Sequence, residues 1–201
     1  MNRQSALALA MIVSALFAGC ATSPTARFYT LSPVQVAALR PDTEPLVIAI
    51  GPVTVPGLVD RPQIVSTIDT NRVTIDEFAR WADPLKSQIA RALAADLTQL
   101  IPGSVVSVYP RRVTDSAYRV SIDVQTFDSS ASGSVSLAVI WSVRPPTGNV
   151  VDGRTVVHEA ASGPGYDARL SAYSRALATV ANGIAAAATQ PPMGAVNAHR
   201  K

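Results

Sequence analysis

Residues 52–84 constrain the fold more than any other stretch, because they join a strand, a forced bend, a hairpin and a helix start without a break. Pro56 fixes its own φ and Gly57 reaches backbone angles that other residues avoid, so the apolar run ending at Val55 must leave its sheet there. Pro62 biases Arg61 towards an extended conformation. The guanidinium is thereby turned away from a regular ladder position, where it either fixes the loop or contacts a partner. Asp69, Thr70 and Asn71 form the turn of the hairpin, and Asp83 followed by Pro84 predicts a capped helix start with proline at its first position.

The flanking sequence supplies the rest of a mixed sheet. Leu46, Val47, Ile48, Ala49 and Ile50 are a continuous apolar run of strand length, the pattern of a central strand covered on both faces. After the hairpin, Leu85, Ile89, Leu93, Leu97, Leu100 and Ile101 fall on one helical stripe over residues 84–101, and Pro102 with Gly103 stops it. A short strand over residues 105–109 follows. Tyr118, Val120, Ile122 and Val124 alternate on one strand, and Val135, Leu137, Val139, Trp141 and Val143 alternate on the next, joined across the Ser-rich turn at 128–134. A second hairpin through residues 145–149 leads to a strand at 150–158. Leu170, Tyr173, Leu177, Val180, Ala181 and Ile184 mark a last helix over residues 166–189, ended by Pro191 and Pro192. Residues 191–201 carry no periodicity and are expected to be a disordered tail.

The N-terminus reads as a targeting signal. Arg3 precedes an apolar run from Ala6 to Phe17, too short for a permanent membrane-spanning helix, and the run closes on Phe17-Ala18-Gly19-Cys20. Small residues directly before a cysteine resemble a bacterial lipobox, with phenylalanine where leucine is usual. Residues 1–19 are therefore expected to be removed, leaving Cys20 as an acylated N-terminus. The absence of aspartate at Ala21 and Thr22 resembles the sorting pattern for release to the outer membrane. Prolines at 24, 33, 41 and 45 predict that residues 20–45 form a tether with one short strand-like piece near Phe28, ahead of a single domain at 46–190.

Composition excludes several classes. Without Arg3 the chain carries 16 basic residues against 14 acidic ones, with no basic run longer than Arg111-Arg112, so nucleic acid is not an expected partner. A single cysteine rules out an internal disulfide and a multi-thiolate zinc site. Only two histidines are present, one of them His199 in the tail; His158 sits at a strand end beside Glu159 and reads as exposed. No nucleophile elbow, phosphate-binding loop ending in Lys-Ser or Lys-Thr, or His-Glu-x-x-His helix is present. Turns and a cap explain most of the acidic residues at 60, 69, 76, 77 and 83, and Trp81 and Trp141 read as core. No catalytic residue, metal or cofactor is expected.

Two motifs, Val-Pro-Gly-Leu-Val-Asp-Arg-Pro-Gln-Ile-Val at 55–65 and Phe-Ala-Arg-Trp-Ala-Asp-Pro-Leu at 78–85, resemble the signature of the PqiC-type auxiliary lipoproteins of ABC-type and MCE-type envelope transport systems. That family usually has Tyr-Leu or a similar pair where this chain has Leu58 and Val59. Similarity runs from Phe28 to the last helix. The resemblance implies a three-layer α/β fold, a mixed sheet flanked by helices, similar to the N-terminal domain of TolB. It further implies a non-enzymatic lipoprotein on the periplasmic side of the envelope, serving lipid or hydrophobic-molecule traffic between the two membranes. Its expected partners are the membrane through Cys20, MCE-domain or ABC transporter subunits, or a second copy. Leu58, Val59, Arg61 and Gln63 are the candidate contacts. A periplasmic lipid carrier is the alternative, and an envelope hydrolase a third reading.

Overall fold

The structure, a computed structural model, describes residues 24–39, 44–109, 114–130 and 133–190. Among them are strands β1 (Arg27–Tyr29), β2 (Val47–Thr54), β3 (Gln63–Asp69) and β4 (Arg72–Trp81), followed by helix α1 (Leu85–Leu100). Then come β5 (Val105–Val108), β6 (Tyr118–Ser129), β7 (Ser134–Arg144), β8 (Val151–Ala160) and helix α2 (Gly165–Ala188). The expected α/β architecture is present. Cys20 and residues 191–201 lie outside the described residues.

Strands pair into two sheets, one in the order β5-β2-β6-β7-β8 and one in the order β1-β4-β3. β5, β2 and β6 run parallel, whereas β6, β7 and β8 are antiparallel neighbours. A register shift after Val124 keeps Phe127 and Ser129 on the same face as Leu137 and Val135. The Thr67 hydroxyl donates to Asp128 at 2.5 Å, and a bridge between Thr67 and Ser130 ties β3 to the end of β6.

Both helices pack on one face of the five-stranded sheet and against each other, α1 over β2 and β5, α2 over β7 and β8. This corrects the reading of the run at 46–50. Ile48 and Ile50 are buried under α1, while Val47, on the other face, is 38% exposed. Interior position in the sheet, between β5 and β6, accounts for the apolar run without a second covering layer.

The tether reading of residues 20–45 is also corrected over its described part. β1 pairs parallel with β4. The segment after it straps across the helices: the Leu31 amide donates to Gln88 Oε1 at 2.7 Å, the Val36 amide to Gln99 Oε1 at 3.3 Å, and the Leu39 amide to the Leu100 carbonyl at 2.9 Å. Gln99 Nε2 returns a bond to the Val34 carbonyl. Proline spacing signals an extended backbone, but not whether that backbone is free or laid along a helix that satisfies it.

Asp83 departs from its expected role as well. Pro84 occupies the cap position of α1 with no side-chain cap, and the Asp83 carboxylate pairs instead with Arg91 at 2.6 Å. The ion pair with a cation two turns into the helix competes for the oxygens that would cap it.

Candidate functional site

The bend after β2 forms as the proline and glycine require. Val59 donates its amide to the Pro56 carbonyl at 3.0 Å, closing a tight turn that leaves Leu58 47% exposed at its tip. Val59 itself is only 7% exposed and belongs to the core. It therefore cannot contact a partner in this fold: the turn that projects one apolar side chain rotates the next inward. Beyond the turn, Asp60 pairs with Lys86 at 2.7 Å, and the Pro62 carbonyl accepts the Trp81 amide at 2.7 Å. Gln63 donates to Glu77 at 3.0 Å and is engaged within the hairpin.

Arg61, Pro62, Trp81, Asp83, Pro84 and Leu85 line a cleft of about 280 Å³ where the loop meets the start of α1. Its floor is rigid. Trp81, 6% exposed, meets Phe127 edge-on with ring centroids 6.1 Å apart, and Phe127 stacks on Tyr173 of α2 at 3.9 Å. Arg61 is the exception to the local pairing. Its Nε is buried and meets no acceptor, and among the described residues its guanidinium makes no ion pair, since Asp60 and Asp83 are taken by Lys86 and Arg91.

The three-stranded sheet beside this cleft is pinned to α2 by Asp76. One of its oxygens accepts the amides of Phe78 and Ala79 at 2.8 and 3.1 Å, forming the bulge in β4, and the other accepts the Tyr166 hydroxyl at 2.8 Å. The Tyr166 bond, followed by these backbone amides, holds the Asp76 carboxyl below the usual carboxylate range. Burial, with Asp76 adding to it, pushes the Tyr166 phenol up to about 12. The Arg169 guanidinium lies 4.2 Å over the Tyr166 ring and donates to Ser66 at 2.8 Å.

Residues 29–185 match the family described as ABC-type transport auxiliary lipoprotein component. The chain belongs to this family. The resemblance to PqiC-type auxiliary lipoproteins that its two motifs carry therefore stands. Among solved structures, the crystal structure of an uncharacterized protein matches with a TM-score of 0.69 at 20% identity, covering 82% of this chain and 99% of that one. Protein XCC0632 from Xanthomonas campestris matches with a TM-score of 0.61 at 17% identity, covering 80% of this chain and 93% of that one. At these identities the likeness is one of fold. No curated protein matches the sequence.

In this auxiliary lipoprotein His158 is exposed on β8, its Nδ1 3.0 Å from the Ser136 hydroxyl across the sheet. The pair lies on the face turned away from the helices, so nothing there shelters a reacting group from water. Sequence reasoning overlooked the apolar surface of the hairpin sheet: Phe28 is 65% exposed, and Ile68, Val73, Ile75 and Phe78 are exposed with it. Alternation on β4 hinted at this surface, but the bulge at Asp76 interrupts the pattern that would have assigned its faces.

Proposed function

We propose that the protein is a non-enzymatic, membrane-anchored docking subunit of an MCE-type transport complex that moves lipids or other hydrophobic molecules between the inner and outer membranes and so maintains envelope integrity. It works from the periplasmic side, held to the outer membrane by acyl chains on Cys20. The observation that carries this reading is the turn at 56–59, which presents Leu58 to solvent beside Arg61, unpaired among the described residues, on a loop fixed at both ends. An exposed apolar tip on a rigid loop is a surface that association would cover. The interior favours docking over carriage: Ile48, Ile89, Leu93, Leu97, Leu137, Leu177 and Ile184 fill the space between sheet and helices instead of lining a void for a ligand. Energy from ATP hydrolysis belongs to the partner subunits.

Leu58→Asp is expected to leave the melting curve unchanged while weakening capture by an MCE-domain partner by about tenfold or more, since it would bury an unpaired charge at the interface. Equal capture by the folded variant in a pull-down would refute the docking role of the loop. Anchoring has its own test. Cys20→Ser is expected to abolish incorporation of a labelled fatty acid and release the protein from the membrane fraction, and labelling that persists in the variant would contradict acylation at this residue.

A further inference from the structure

We infer that the Arg61 cleft receives a single carboxylate of an acidic, partly apolar segment on a partner polypeptide. This deepens the docking reading and rests on it. Asp60 with Lys86 and Asp83 with Arg91 form two ion pairs at the rim, which leaves one positive charge, that of Arg61, without a counterion among the described residues. A singly charged oxyanion neutralises the cleft, and the planar guanidinium fork matches the two oxygens of a carboxylate.

Geometry selects the edge that would bind it. Nε is closed to solvent, so the terminal nitrogens of the guanidinium are the donors open to an incoming carboxylate. The walls are Pro62, Trp81, Pro84 and Leu85, so the anion is best delivered on an organic chain that can cover them. A membrane surface fits less well. The rim exposes acids as much as bases, Asp60 and Asp83 at 42% and 54% beside their partners Lys86 and Arg91, so it offers no run of unpaired cations to an anionic headgroup layer. Leu58, three residues earlier on the same loop, supplies the neighbouring apolar contact.

The test uses the full-length protein in neutral detergent and two capped dipeptides, N-acetyl-Leu-Glu-amide and N-acetyl-Leu-Gln-amide, followed by calorimetry and by tryptophan fluorescence. The glutamate peptide is expected to bind saturably in the millimolar range, about tenfold tighter than the glutamine peptide, and to weaken as salt is raised. Arg61→Gln should remove the difference between the peptides, and Arg61→Lys, which keeps the charge without the fork, should retain part of it. No saturation of the glutamate peptide up to about 10 mM, or equal binding of both peptides, overturns the inference. So does binding of glycerophosphoglycerol, an anionic lipid headgroup, in preference to the peptide. If Arg61→Gln melts early, the Lys variant decides: peptide discrimination as strong as in the wild type would mean that the fork plays no part. The pull-down with Leu58→Asp is separate. Its failure with intact peptide binding removes the docking reading, and its success without peptide binding removes only the carboxylate.

Discussion

Trp141→Ala is expected to cost about 3–5 kcal/mol of folding stability, the range for truncating a buried large aromatic. Trp141 is 8% exposed on the helix-facing side of β7, and its indole N–H donates to the Thr155 hydroxyl at 2.9 Å. Its ring fills a slot between two glycines. A Cβ built on Gly153 of β8 would lie 2.2 Å from the ring, and one built on Gly183 of α2 would lie 3.2 Å from it. With the ring gone, neither glycine offers a side chain to close the gap, which places the loss in the upper part of that range. Gly153→Ala attacks the same contact from the other side and is expected to cost about 1–3 kcal/mol by overpacking. Because each change relieves the other, the double variant should lose less than the two losses together. Urea denaturation measures all three, and a loss below about 1 kcal/mol for Trp141→Ala would mean that the ring is not part of the core.

Asp96 should give the second large effect, with the opposite sign. It sits on α1 between Gln88 and Gln99, the two residues that bind the strap, and is fully buried with no hydrogen-bond partner for either carboxyl oxygen. Loss of hydration pushes its carboxyl up to about 6, against an ordinary value of 3.8, and the Val34 amide of the strap, near it but outside hydrogen-bond geometry, offsets only part of that. A carboxyl whose folded pKa is raised binds its proton more tightly in the folded state. Its contribution is therefore most favourable below about pH 4, declines between pH 4 and 6, and is lost above pH 6, a swing of about 3 kcal/mol. Asp96→Asn is thus expected to stabilise the protein by about 1–3 kcal/mol at pH 7.5 and to make little difference at pH 4. Denaturation at the two pH values checks it. A less stable variant at pH 7.5 would show that the charged carboxylate is held by a favourable contact.

Much of the fold was legible in the residues themselves. Alternation on β6 and β7 survives because one face meets helices and the other meets water, and the aliphatic stripes of α1 and α2 report the same asymmetry from the opposite side. The bend at Pro56 and Gly57 was readable because those two residues restrict the backbone whatever surrounds them. What failed depends on long-range packing. Nothing local distinguishes Leu58 from Val59, yet one is a loop tip and the other is core. Gln88 and Asp96 look like polar positions on an amphipathic helix until the strap covers them. Gly153 carried a readable signal, a glycine inside a strand, but its cause, the ring of Trp141, lies on another strand. Arg61 was legible as a side chain out of register. Its lack of a partner among the described residues follows from how α1 places Lys86 and Arg91, each of which occupies an acid beside it.

The pairing of β1 with β4 sets how far the domain can stand from a membrane. If the acyl chains are on Cys20, only seven peptide steps separate them from Arg27, where the chain enters the hairpin sheet. At no more than about 3.6 Å per residue, that leash is roughly 25 Å at full stretch. A tail of twenty-five residues would reach several times farther; on the same premise, this one would keep Arg27, and with it the edge of the β1-β4-β3 sheet, within that distance of the acyl chains. An assembly built on that sheet would then form near the bilayer, and lengthening the chain between Cys20 and Arg27 would raise its height without touching the fold.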